Sequence, residues 1–327
     1  MRRRDFIALL GGAAVGWPLS GNTQQPATPV IGFLNGQSPE PWAHLTAAFR
    51  RGLSEGGYTE GRNLTIEFRF AQDRPDRLPG LATDLIKHQV QLIVTSGGEV
   101  AARAVMAATS TVPIIATFGG DPVESGFVVS INRPGRNVTG VSLFNVELVA
   151  KQLEMLHQAL PGVTEMSVLA NGTNPNTKRM LRAAEAAAPA LGVNMLTFTA
   201  ATDSEIDNAF AALSQKPASA LVVFPDPLFN ARRRQLVALA TQHRIPTMFF
   251  RREFPLIGGL MSYASDQVED YRQLGVYAAK ILSGTKPAEM PIMQPSKLEL
   301  VINLNTAKAL GITVPPALLA RTDEIIE

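Results

Sequence analysis

The chain has no cysteine in its 327 residues. That absence excludes disulfide scaffolds, thiolate metal sites and cysteine nucleophiles. It also removes the lipidated cysteine of a bacterial lipoprotein. Histidine is scarce: His44, His88, His157 and His243 are far apart, and no HxxxH or HExxH spacing joins them. They read as surface or capping residues and not as metal ligands. No G-x-S-x-G elbow, P-loop or G-x-G-x-x-G follows any strand-like run. Gly32-x-x-x-Gly36 and Gly119-Gly120 are too loose to cradle a phosphate. Neither an enzyme, a cofactor nor a metal centre is therefore expected. Charge is sparse as well: 18% charged against 46% hydrophobic residues describes an ordinary packed α/β protein. The length suits two domains, each able to bury its own core.

The N-terminus stands apart. Arg2-Arg3-Arg4-Asp5 precedes an uncharged stretch, Phe6–Ser20, rich in Leu and Ala but diluted by Gly11, Gly12 and Gly16. A membrane span needs roughly 20 apolar residues, so the segment reads as an export signal. Arg3, Arg4 and Phe6 resemble the twin-arginine type, and cleavage is expected between Ser20 and Ala27. Residues 1–27 are thus signal and disordered leader, and the mature chain is expected in the periplasm. Of 30 Lys+Arg and 28 Asp+Glu, residues 1–20 hold three Arg and one Asp, leaving 27 of each sign. No basic run with interleaved aromatics survives, so no nucleic-acid partner is expected.

From residue 30 to 250 the pattern is stated twice. The first pass has a strand Val30–Leu34, a helix Pro41–Gly56, a strand Asn63–Phe70 and a helix Leu78–His88. It goes on with a strand Leu92–Thr95, a helix Glu99–Ala108 and Val112-Pro113-Ile114-Ile115. The second has a strand Met166–Ala170, a helix Pro175–Leu191, a strand Val193–Thr199 and a helix Ile206–Leu213. It closes with a strand Ala220–Phe224, a helix Asn230–His243 and Ile245-Pro246-Thr247-Met248. Alternation of this kind predicts α/β architecture: two similar doubly wound parallel-sheet lobes. Lobe one is expected over 28–142 plus 266–290 and lobe two over 143–265 plus 291–327. A three-segment hinge, crossing near 140–144, 263–266 and 288–297, would join them. A monomer is expected.

Ligands of open parallel sheets sit beyond the carboxyl ends of the strands, and those ends are polar, glycine-rich and aromatic here. Lobe one offers Asn35, Gln37 and Ser38, with Trp42 at the next helix start, then Ser96, Gly97, Gly98 and Glu99, then Phe118 and Asp121. Lobe two offers Asn171, Asn174 and Asn176, then Asp226 and Phe229, then Phe250 and Arg251, then Tyr263 and Asp266. The helix start at Ser96–Glu99 suits an anion, as do Asn174 and Asn176 opposite. Asp121, Asp226 and Asp266 suit an amine. Phe118, Phe229, Phe250 and Tyr263 suit a flat ligand face. Each is also an ordinary cap or core residue.

With these features in hand, the chain resembles the periplasmic substrate-binding proteins of ABC transporters, in the branch that includes tryptophan/tyrosine-binding members. The resemblance is carried by Phe49-Arg50-x-Gly52-Leu53-x-Glu55-x-Gly57-Tyr58-x-Glu60-Gly61-x-Asn63 and Asp121-Pro122-Val123-x-Ser125-Gly126. It continues through Asn132-x-Pro134-Gly135-x-Asn137-Val138-Thr139-Gly140-Val141, Lys151-Gln152-Leu153-Glu154 and Leu300-Val301-Ile302-Asn303-Leu304. It implies a type I periplasmic-binding-protein fold, an amino acid or aromatic carboxylate clamped between the lobes, and delivery to an ABC permease in the inner membrane. Two alternatives stay open: a ligand-sensing role beside a signalling receptor, and an enzyme using the same interlobe cleft. Arg251-Arg252 stand where an acidic phrase is common in the family, which would favour a ligand with an extra anionic group.

Overall fold

The computed structural model describes residues 28–215 and 220–327. The expected export signal, with Arg3, Arg4 and Phe6, lies outside them. Among the described residues no helix is long and apolar enough to cross a membrane.

The first sheet contains β1 (Val30–Asn35), β2 (Thr65–Phe70), β3 (Leu92–Ser96), β4 (Ile114–Phe118) and β5 (Val138–Ser142). All are parallel, in the order β2-β1-β3-β4-β5. α1 (Ala43–Glu55), α2 (Leu78–Lys87) and α3 (Glu99–Ala108) are its crossover helices. The pleat sends alternate side chains to opposite faces. Phe33, Leu92, Val94 and Ile115 join α1, whereas Leu34, Ile93, Ile114 and Ala116 join α2 and α3.

Next come α4 (Val149–Ala159), β6 (Glu165–Ala170), α5 (Thr177–Leu191), β7 (Asn194–Thr199), α6 (Asp203–Leu213) and β8 (Ala220–Val223). Then follow α7 (Pro227–Ala231), α8 (Arg233–Gln242), β9 (Thr247–Phe249), α9 (Glu253–Leu256), β10 (Met261–Ser265) and α10 (Gln267–Leu282). The chain ends with β11 (Leu298–Asn303), α11 (Leu304–Leu310), α12 (Pro316–Leu319) and β12 (Glu324–Ile326). The second sheet runs β12-β11-β10-β9-β8-β6-β7. Within it β7-β6-β8-β9-β10 repeats the first sheet's order, so the doubled sequence is a doubled topology. β11 and β12 are the exceptions: β11 is antiparallel to β10, and β12 runs parallel to β11. Gly192, at φ 65, ends α5 in the left-handed conformation expected of a glycine stop.

Two expectations change. The single helix expected over Asn230–His243 is two, broken at Arg232. α4 has no counterpart among the expected helices, although it buries a regular stripe of Val149, Leu153, Leu156 and Ala159.

The chain leaves the first sheet after Ser142 and returns after Ser265, when α10 packs along α1. The approach is so close that a Cβ at Gly52 would overlap the Arg272 carbonyl, and one at Gly275 the Phe49 carbonyl. Residues 291–293, expected with lobe two, are tied to lobe one by backbone hydrogen bonds. Ile292 N donates to Ile131 O (2.8 Å), Met293 N to Gly140 O (2.9 Å) and Ser142 N to Met293 O (2.8 Å).

Candidate functional site

The carboxyl ends of the two sheets face one another across a cavity of about 320 Å³. In each sheet the cavity meets the place where strand order reverses, between β1 and β3 and between β6 and β8. These are the switch points where open α/β sheets take ligands. One part of the wall is aromatic and aliphatic: Trp42, Leu78, Met180, Leu228, Phe250 and Tyr271. Another is polar: Gln37, Glu99, Thr117, Asn145, Asn171, Asn174, Asn176 and Asp226.

The lobes touch directly around it. Gln37, from the β1 end, is buried and fully engaged: its Nε2 donates to Pro227 O, and its Oε1 accepts from Trp42 Nε1 (3.1 Å) and Asn230 Nδ2 (2.9 Å). Asn176 Nδ2 donates to Glu99 Oε1 across the cleft (3.0 Å). Arg179 reaches Ser125 Oγ (3.0 Å) and Glu124 (3.1 Å). On another side His44 meets Glu253 (2.9 Å), and the Arg251 guanidinium lies 5.2 Å from the Trp42 ring centroid.

Two buried carboxyls line the cavity, one per lobe. Asp226 caps α7: its Oδ1 accepts from Leu228 N (2.8 Å) and Asn171 Nδ2 (3.1 Å), and its Oδ2 from Asn174 Nδ2 (2.8 Å). Burial pushes its carboxyl above the ordinary range, against these hydrogen bonds. Glu99, the first residue of α3, accepts from Gly119 N, Gly120 N and Asn176 Nδ2, each at 3.0 Å and all on Oε1. Its Oε2 is buried and meets no donor among the described residues. A third acid, Asp73, lies nearer the mouth; burial pushes it upward, opposed by Ser38, Arg232 and Gln37.

Among the residues proposed from sequence, Gln37, Gly97, Gly98, Glu99, Asn171, Asn174, Asn176, Asp226, Phe250 and Arg251 line the cavity. The others are elsewhere. Asn35 and Ser96 bond to each other beneath it (2.8 Å), and Ser38 sits at the rim, donating to Asp73 (3.3 Å). Phe118 packs on Phe127 in the core, because the pleat puts it on the same face as Ile114 and Ala116. Phe229 is likewise buried in lobe two. Tyr263 packs against the other lobe-two core, beside Met261. Asp121 is exposed and caps its own turn through Val123 N (2.7 Å), and Asp266 caps α10 through Glu269 N (3.1 Å).

The extra-anion reading of Arg251-Arg252 fails on their partners. Arg251 pairs with Glu253 (3.3 Å), and Arg252 turns to Glu299 (3.9 Å) and Glu324 (2.5 Å). Burial alone would raise Glu253, but Arg251 and His44 hold it well below the usual carboxyl range. Sequence reasoning did not name Asp73, Asn145, Met180 or Tyr271 as site residues. Tyr271 comes from α10, and only the return of that helix to lobe one brings it there.

The chain matches the family described as ABC transporter substrate binding protein over residues 16–326. It is 27% identical over 262 residues to a tyrosine-binding protein of Clostridioides difficile, covering 80% of this chain and 75% of that relative. Its fold overlays the ABC domain from Streptococcus pneumoniae in complex with L-Trp. The TM-score is 0.84 at 26% identity, covering 92% of this chain and 100% of that one. The ligand-free, open structure of a substrate-binding protein with adhesive properties from Clostridium difficile gives 0.68 at 25% identity, covering 91% and 99%.

Proposed function

Because the chain belongs to the ABC transporter substrate-binding protein family, we propose that it is the solute-binding component of an ABC uptake transporter, closing on an amino acid with an aromatic side chain and passing it to a permease. The observation that carries this reading is the cavity itself, lined by both lobes, with an aromatic wall of Trp42, Phe250 and Tyr271 and a polar wall around Glu99 and Asn176. Its volume falls at the small end of ligand pockets, which start at roughly 300 Å³. The L-Trp complex and the tyrosine-binding relative support the choice of ligand. At nearly equal identity the fold overlays that complex better than the open, ligand-free structure, which supports a closed disposition of the lobes.

In this reading 28–142, with 266–293, forms one jaw, and 143–265, with 294–327, the other. Ligand stabilises the closed form by binding it better than the open one. No covalent step is involved. Arg3-Arg4-x-Phe6-Ile7 directs export to the periplasm, and replacing both arginines by lysine is expected to stop it; continued export would point to the general secretory route.

Thermal unfolding against L-Trp, L-Tyr, L-Phe and their desamino acids tests the ligand class. A ligand at a hundred times its Kd adds about 2.7 kcal/mol of stability, readily seen as a raised Tm. Solution scattering then shows a smaller radius of gyration with that ligand. If no member of the panel raises the Tm, the ligand class is wrong. If one does without compaction, closure is wrong.

A further inference from the structure

We propose that Glu99 Oε2 accepts the ammonium of the ligand, and that Asn176 from the opposite lobe positions it, so that the amine-recognising group is completed only on closure. The proposal rests on the aromatic amino acid reading and makes the amine, not the carboxylate or the ring, the group that closure recognises.

The side chain is 5% exposed, lines the cavity and forms no ion pair among the described residues. All its donors crowd onto one oxygen. Buried polar atoms are almost always hydrogen-bonded, and leaving one unpaired is costly. A carboxylate held by three donors on Oε1, with Oε2 unpartnered and nearly closed off from the empty cavity, is suited to a charged N–H donor that the cavity wall shifts slightly to admit. The other cavity acid does not compete, because Asp226 already accepts on both oxygens. Nor does the cavity supply an internal cation, since Arg251 is paired with Glu253.

Asn176 couples this group to closure. Two of the three donors on Oε1 are backbone N–H groups of lobe one; the third is the Asn176 amide of lobe two. It approaches over bare backbone: a Cβ at Gly120 would lie 2.5 Å from Asn176 Oδ1. Gly120 is not among the residues with positive φ, so alanine there avoids the left-handed strain and meets chiefly Asn176, with Arg179 Nη1 next at 3.4 Å.

Isothermal titration of the purified protein with L-tryptophan, L-tyrosine, tryptamine and indole-3-propionate tests the assignment. The protein is expected to bind one of the amino acids about 100-fold more tightly than the desamino acid, the loss typical of a buried charge pair missing one partner. Glu99→Gln erases that gap. Asn176→Ala and Gly120→Ala narrow it about tenfold. A native-like circular dichroism spectrum and a cooperative thermal transition in Gly120→Ala separate this from misfolding. A gap that survives Glu99→Gln overturns the proposal, as does tighter binding of the desamino acid. Binding of tryptamine alone, lost in Glu99→Gln, sinks the amino acid reading and keeps the ammonium site. A panel in which nothing binds removes both.

Discussion

Glu99 and Asp226 are the same chemistry at opposite jaws. Each sits at a helix start beyond a strand end, each is buried, and each accepts three hydrogen bonds. They differ in how those bonds are shared. Asp226 spreads its donors over both oxygens and ties together the Asn171–Asn174 loop and the start of α7. Glu99 takes all of its donors on one oxygen. A fully subscribed carboxyl is architecture; one with an oxygen to spare beside a cavity is set up for recognition. Asp270 on α10 supplies the control. Its Oδ2 is also buried and unpartnered, but it lies off the cavity. Burial, offset by Ser265 and reinforced by Asp266 and Glu269, pushes its carboxyl up to about 7.

The comparison makes unequal demands on three variants. Asp226→Ala leaves Asn171, Asn174 and Leu228 N without their acceptor, so chemical denaturation is expected to show a loss of about 3 kcal/mol with or without ligand. A loss confined to ligand affinity would make Asp226 a recognition residue like Glu99. Asp270→Asn comes second. A carboxyl whose folded pKa lies above its unfolded value destabilises the fold when charged, so the native protein gains stability as pH falls through about 7 toward the ordinary carboxyl range. The variant is expected to be more stable at pH 8.5 by on the order of 2 kcal/mol, with the advantage shrinking below about pH 7 and gone only near about pH 3.5. Equal stability of the two proteins at pH 8.5 would show that Asp270 is not strained by its charge. Arg179→Ala is the mildest. Its interlobe partner Glu124 is 58% exposed, so its contribution is at most about 1 kcal/mol and salt-sensitive. Ligand affinity should fall by no more than about fivefold, less at high salt; a loss as large as that of Glu99→Gln would place the closing energy in the surface clasp.

The lobes were legible because their signals are local. The apolar runs of β1, β3, β6 and β8, the glycine stop at Gly192 and the repeated order all follow from periodicity and backbone freedom. The position of the site was legible by the same logic, since strand ends in parallel sheets share one side. Which strand-end residue enters the cavity was less so. Phe118 and Tyr263 are assigned by the pleat, and carrying the two-residue period to the last position of β4 and through β10 would have placed them in the core. Asp121 and Asp266 were indistinguishable from ligand acids because a helix cap and a ligand contact call for the same side chain. Tyr271 and Asp73 depend on which distant segments the topology folds together, and no local pattern carries that.

The close crossing of α1 and α10 also bears on how the molecule is made. Every strand of the first sheet has been synthesised by Ser142, yet the face around Phe33, Phe49 and Leu92 is covered by Tyr271, Leu274 and Ala278. A nascent chain that has produced only its first half therefore leaves part of this apolar face, beside α1, uncovered. Such faces invite aggregation. The jaw that comes first in the chain is completed only after most of the other has been made.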